Sequence, residues 1–331
     1  YFSSGKVMDF DVVTWVRIAA YSGAGIAMGF GAIGAAIGVG YTAAQANVAT
    51  SRNPQISGIL FKNMLIGQAI AESTSIFALV IAILLLFLGV PNPTLLNAAA
   101  LLSAGICMGF GAIGSGIGSG LPGGQACIGI ARQPGAIARL TTNMLIGSAV
   151  CQTPAIFAMV VALILMFMDF TGAPVQPTWA ALLGAGFSTG FAAIGSGIGG
   201  GMAAGASCEG IARHPETSGN VTTIMLVGQA VSQTPSIFGL LVSFILIFKT
   251  FPESHTLSAS MALLAAGLSM GFGGIGPGIG NGMTAEGAVR WVARNVKHAG
   301  ELMRTMLVGQ AVSQSTAIYA MVISLVLIFV V

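Results

Sequence analysis

Apolar residues run through this chain in eight long blocks, and polar residues collect in the short gaps between them. Each block exceeds the ~20 residues that an α-helix needs to cross a bilayer, so the pattern predicts eight membrane-spanning helices with ends that protrude. Paired first helices are predicted at roughly 12–50, 95–131, 178–212 and 258–293, and second helices at roughly 58–89, 137–170, 220–250 and 300–331. Pro91, Pro93, Pro174, Pro177 and Pro252 mark the breaks between pairs. A soluble helical bundle would need a polar face on each helix, and these blocks have none.

The pairs are copies of one unit. Gly67-Gln68-Ala69-Ile70-Ala71-Glu72 returns as Gly147-Ser148-Ala149-Val150-Cys151-Gln152, as Gly228-Gln229-Ala230-Val231-Ser232-Gln233 and as Gly309-Gln310-Ala311-Val312-Ser313-Gln314, at offsets of 80, 81 and 81 residues. Arg52, Arg132, Arg213 and Arg294 keep the same beat at the loop inside each pair. Such self-similarity marks tandem units that bury their faces against one another. The predicted fold is therefore all-α, four tandem helical hairpins at 1–90, 91–173, 174–253 and 254–331. Residues before Arg17, with Lys6, Asp9 and Asp11, are expected to form a polar lead-in. The start at Tyr1 raises the expectation that an upstream segment was removed.

Composition sharpens this picture. Only 6% of residues are charged, against ~25% in soluble domains, and the net charge is +3. Nucleic-acid binding is not expected from so little charge on so apolar a chain. Cys107, Cys127, Cys151 and Cys208 show no metal-ligand spacing and read as small packing residues. Nine basic residues flank the arginine loops (Arg52, Lys62, Arg132, Arg139, Arg213, Arg290, Arg294, Lys297 and Arg304), against Lys6, Arg17 and Lys249 at the other side. That excess predicts cytoplasmic loops, with both termini opposite.

Glu72 is the acid deep inside an apolar block. A carboxylate at that depth costs on the order of 2.5–3.5 kcal/mol or more, so it marks a functional site. Gln152, Gln233 and Gln314 occupy the same position in the other repeats. Glutamine has nearly the shape of a protonated glutamate yet carries no exchangeable charge, so these positions are degenerate for transport. They are expected to hydrogen-bond with Ser232 and Ser313 or with Gln68, Gln229 and Gln310. Pro154 and Pro235 follow two of them and should free a backbone carbonyl and kink the helix. Glu209 and Glu286 lie near the loops, and Asp169 and Glu253 at the opposite boundary; solvated or stalk-facing roles are expected for them.

The first helix of each pair is dense in glycine, as in Gly109, Gly111, Gly114, Gly116, Gly118 and Gly120. A phosphate loop would need a strand before such a string, and none is predicted, so no nucleotide is expected to bind. Small residues on several faces instead let a helix touch neighbours on both sides. That argues for an inner row of glycine helices, with the bulkier second helices outside.

These motifs together resemble the proteolipid, or c-type rotor protein, of rotary F- and V-type ATP synthases and ATPases. Ala131-Arg132-Gln133-Pro134 resembles the family's loop, Gly276 to Gly282 the glycine motif of sodium-binding members, and Gly67 to Thr74 their outer-helix motif. The resemblance implies a non-catalytic rotor ring, made of copies of this chain in lipid. It implies a stator protein with an essential arginine, and a central stalk held by the loops at Arg52, Arg132, Arg213 and Arg294. The cargo would be Na+ or H+ carried on Glu72, with sodium favoured because Ser73 and Thr74 add oxygens.

By family position, an inner-helix amide belongs at Val39, Ser119, Gly200 or Asn281, and only Asn281 is one. The expected site thus joins two chains, with Glu72, Ser73 and Thr74 meeting Asn281 and the Val312 carbonyl. The competing arrangement uses Ser119 and the Val150 carbonyl of the same chain. Asn281 is shorter than the family's glutamine, and Phe77 stands where a tyrosine commonly buttresses the site. One carboxylate per four hairpins implies few ions per revolution, about one per ATP if three chains make twelve hairpins, which suits an ATP-driven pump. The rival expectations are a proton-specific rotor, a channel-like protein and a purely structural ring.

Overall fold

The computed structural model describes residues 11–87, 89–254 and 256–330. The lead-in residues Lys6 and Asp9 lie outside them, and Arg17 falls within the first helix. Among the described residues eight helical spans are long and apolar enough to cross a membrane, so the chain is an integral, multi-pass protein. The inner helices are α1 (Val12–Arg52), α3 (Leu95–Arg132), α6 (Val175–Arg213) and α9 (Leu257–Arg294). The outer partners are α2 (Ser57–Phe87) and α10 (Ala299–Val330), both unbroken. The other two outer spans are each divided, into α4 (Ile137–Cys151) with α5 (Thr153–Phe167) and α7 (Ser218–Ser232) with α8 (Thr234–Phe248).

Local chemistry sets the boundaries. At the start of α3 the Thr94 hydroxyl accepts the Asn97 backbone N–H at 3.3 Å, and Asn97 Oδ1 accepts the Thr94 N–H at 2.9 Å. This reciprocal pair satisfies donors that the first turn leaves open. Each inner helix ends on the arginine of its repeat, where a cation meets the negative helix end. A single 3-10 turn follows. Pro54, Pro134 and Pro215 open three of these turns, where the missing N–H costs nothing. The fourth, Val296–His298, takes the same form without proline.

The inner helices stand side by side in the order α1, α3, α6, α9. Each outer span lies in a groove between its own inner helix and that of the next repeat: α2 over α1 and α3, α4–α5 over α3 and α6, α7–α8 over α6 and α9. The last, α10, packs chiefly on α9. The row therefore has two open ends, at α1 and at α9–α10.

Glycine permits this spacing. A Cβ on Gly118 would strike the Gly197 carbonyl oxygen, and one on Gly201 would strike the Gly118 backbone. With no hydrophobic drive between helices in lipid, such backbone contact supplies the packing energy. Farther along, Phe30, Phe110, Phe191 and Phe272 form a continuous row across the four inner helices, with neighbouring ring centroids 4.5, 4.5 and 4.6 Å apart.

Buried apolar side chains fall into two groups. One surrounds Leu101, Leu182 and Leu246 toward the termini, and the other surrounds Leu140, Ile211 and Met225 toward the loops. Between them lies a waist of buried polar groups, including Ser115, Ser119, Ser148, Gln229, Ser232 and Asn281. Buried polar groups in a membrane need partners, and this waist is where the candidate site lies.

Candidate functional site

Two of the side chains at the Glu72 position, Gln152 and Gln233, point the same way round the row. Gln152 Nε2 donates to the Ile70 carbonyl at 2.7 Å, and Gln233 Nε2 donates to the Val150 carbonyl at 2.8 Å. Each therefore reaches back to the preceding repeat, two residues before that repeat's own carboxylate position. At the last junction Asn281 Nδ2 donates to the Val231 carbonyl at 3.3 Å and to Gln314 Oε1 at 2.8 Å. The expected glutamine partners, Ser232, Ser313 and the glutamines one turn earlier, are not the ones used.

A second tier repeats one turn toward the loops. Gln229 Nε2 donates to the carbonyls of Gly147 and Gly200, both at 3.0 Å. Gln310 Nε2 does the same to Gly228 at 3.1 Å and Asn281 at 3.0 Å. In repeat 1, Gln68 Nε2 reaches the Val39 carbonyl of its own hairpin at 3.3 Å. The bond that its counterparts make to a preceding repeat has no counterpart within the chain.

Glu72 occupies the same position with no repeat before it, and it is exposed at the open α1–α2 end. Ser73 Oγ donates to the Ile70 carbonyl at 2.7 Å and Thr74 Oγ1 to the Ala71 carbonyl at 3.1 Å. Their oxygen lone pairs remain to accept or to ligate. At the opposite end of the row, Val312 is the residue equivalent to Ile70, Val150 and Val231, and it is 68% exposed.

Asn281 does not lie at that end. It is buried, between α7 and α10 of its own chain, with its amide nitrogen spent on Val231 and Gln314. This placement favours a different partner for Glu72 than the expected Asn281 of a neighbouring chain. The physical reason is direction: an inner-helix residue serves the outer position of its own repeat, and for Glu72 that residue is Val39. Ser119 and the Val150 carbonyl do not meet Glu72 either. Ser119 Oγ donates to the Ser115 carbonyl at 2.7 Å, and the Val150 carbonyl holds Gln233.

At the loop end, charges are paired between α6 and α9. Arg290 bridges Glu209 at 3.2 Å and Glu286 at 2.8 Å, while Arg213 holds Glu209 at 2.5 Å. These acids thus sit in ion pairs far from the polar waist. Arg294 stacks over the Trp291 ring at 4.8 Å. At the opposite boundary, hydrogen bonds from the Thr171 hydroxyl and amide hold the Asp169 carboxyl below its ordinary range.

Ser115 and Ser196, which the sequence did not single out, also belong to the waist: they accept the backbone N–H groups of Ala155 and Ser236, both at 3.2 Å. The available signal was their restriction to repeats 2 and 3, where Ala35 and Pro277 fill the equivalent places in repeats 1 and 4.

Four segments, 22–85, 102–165, 183–246 and 264–327, match the family described as the ATP synthase C subunit. The chain is 30% identical over 234 residues to the K subunit of the A-type ATP synthase of Methanocaldococcus jannaschii, a match covering 71% of this chain and 96% of that relative. It is 52% identical over 68 residues to the ATP synthase c subunit of Dehalococcoides mccartyi, covering 20% of this chain and 90% of the relative. A third relative, the ATP synthase c subunit of Geotalea uraniireducens, is 43% identical over 70 residues, covering 21% of this chain and 77% of its own. The chain belongs to the ATP synthase C-subunit family, as a member with four hairpins in one polypeptide.

Proposed function

We propose that this chain closes with copies of itself into the rotor ring of an ATP-coupled ion pump, and that Glu72 is its ion-carrying group. The observation that carries the reading is the common direction of the amides at two junctions: Gln152 and Gln233, at the Glu72 position, each reach the carbonyl of the preceding repeat, and at the last junction Asn281 takes that carbonyl. Applied to the open end, that rule pairs Glu72 with the Val312 carbonyl of a second chain, and Gln68 with its Gly309 carbonyl. The ion site is then the seam between chains. It comprises the Glu72 carboxylate, the Val312 carbonyl and the Ser73 hydroxyl, without Asn281 and without Thr74, whose hydroxyl is buried within its own chain.

Mechanistically, the ion neutralises the carboxylate so that it travels through lipid, where a bare charge is costly. A stator protein bearing an arginine would receive the ionised carboxylate, and the arginine loops at Arg52, Arg132, Arg213 and Arg294 would grip a central stalk. The basic excess around those loops supports a cytoplasmic position for them, with both termini opposite. Three of four hairpins carry a neutral amide, so few ions pass per turn and each ATP drives them up a steep gradient. Sodium is the favoured cargo because hydroxyl and carbonyl oxygens suit a hard cation.

Carbodiimide labelling of Glu72 in the purified ring tests this. Sodium is expected to slow labelling at moderately acidic pH by about tenfold or more, as for a site filled well above its dissociation constant. Labelling indifferent to sodium would make the cargo a proton. Asn281→Leu is expected to leave the protection intact, since that residue serves another junction; loss of protection would return Asn281 to the site. For sidedness, a cysteine placed at Gly135 in the second loop should react only with reagent on the cytoplasmic side.

A further inference from the structure

We propose that Pro154 and Pro235, with Ser115 and Ser196, are positioning residues that hold the neutral sites of the following repeats closed. An α-helical carbonyl ordinarily accepts the N–H four residues later. Proline has no N–H, so Pro154 leaves the Val150 carbonyl without that donor and Pro235 does the same for Val231. These two carbonyls hold the next repeat's amides: Val150 accepts Gln233 Nε2 at 2.8 Å, and Val231 accepts Asn281 Nδ2 at 3.3 Å. The outer spans are interrupted at the same level, at Gln152 and Gln233.

The interruption is accommodated on its other side too. Ala155 and Ser236, just past the prolines, donate their N–H groups to Ser115 and Ser196 of the inner helices. Proline and serine travel together. Repeats 1 and 4 have Thr74 and Thr316 in place of the prolines, Ala35 and Pro277 in place of the serines, and unbroken outer helices. A chance kink would not bring its own acceptor on another helix. The Ile70 carbonyl, with no proline behind it, takes Gln152 as well, but it also carries the Ser73 hydroxyl at 2.7 Å. Its lone pairs are shared with a second side-chain donor, so it is not an acceptor dedicated to the next repeat.

The role follows from the rotor reading, on which it rests. A neutral repeat must pass the stator and the lipid without offering its amide to either. At Gln233 a dedicated acceptor in the groove between repeats keeps that amide turned inward; at the last junction Asn281 takes the freed carbonyl and holds Gln314 through its Oε1, which leaves Glu72 as the group that is free to exchange.

The test uses the intact rotor complex in liposomes. Side-chain amide exchange of Gln233 is followed by 15N signals, assigned by their loss in Gln233→Leu. Pro154→Ala is expected to raise Gln233 exchange about tenfold, the effect of losing one hydrogen bond. Alanine favours the helix, so folding is preserved. Unchanged exchange in Pro154→Ala would overturn the clasp and leave the rotor reading standing. The functional arm is a double-mutant cycle on ion-coupled ATPase rate. Pro154→Ala and Gln233→Leu should slow it by similar factors and the double variant no further. Multiplicative losses, or altered exchange with an unaltered rate, would overturn the proposed role.

Discussion

Replacing Glu72 with Gln is expected to reduce ion-coupled ATPase activity to background while leaving the ring intact. The substitution makes repeat 1 chemically like the other three, where Gln152 and Gln233 pair with carbonyls and Gln314 accepts from Asn281. Glutamine nearly matches the protonated acid in shape, so packing at the seam is preserved and only the exchangeable charge is lost. The same variant should lose all carbodiimide labelling within the membrane. Measurement of ATP-driven ion uptake in reconstituted vesicles decides it, and uptake that persists would transfer the ion to another group. A ring built solely of this chain makes the effect large, because no other repeat offers a carboxylate at this depth.

Second in size is the expected failure of Gly118→Val to yield a stable ring. Gly118 faces the Gly197 carbonyl oxygen, and Gly201 of the same neighbour faces Gly118 in return. Backbone occupies the space a valine side chain would need, and no rotamer avoids it. Overpacking costs about 1–3 kcal/mol even where neighbours can shift, and two rigid helices shift little. Native gel mobility of membrane extracts should show loss of the intact ring. Gly219→Ala, at a position with nothing within 4 Å, is the matched control and should assemble normally. Equal yields from both variants would remove close helix contact as the basis of the inner row.

Much of the architecture was legible because it depends on one-dimensional properties. Apolar length gave the spans, repetition gave the hairpins, and glycine on several helix faces gave the inner row. The division of the outer spans at Gln152 and Gln233 followed from Pro154 and Pro235. The ligands around Glu72 were less legible, because they depend on which way round the row each side chain points. That direction appears once Gln152 is seen on Ile70 and Gln233 on Val150. Extended to the open end, it favours Val312 over Asn281, whose amide nitrogen is bound at another junction. Ser115 and Ser196 were passed over for a related reason: serine beside glycine reads as one more small residue until its partner across the groove is known.

The open ends of the row bear on how such a ring comes together. In the proposed ring, the three junctions between these four hairpins are already joined by one backbone, and the junction between chains awaits a second molecule. Joining separate molecules costs each of them translational and rotational freedom, an estimated 4–15 kcal/mol per encounter. Linked hairpins meet instead at the high effective concentration their tether enforces. Assembly of such a ring should therefore depend on chain concentration through one kind of contact alone, the seam proposed for Glu72. Dilution would shed whole four-hairpin chains and never single hairpins.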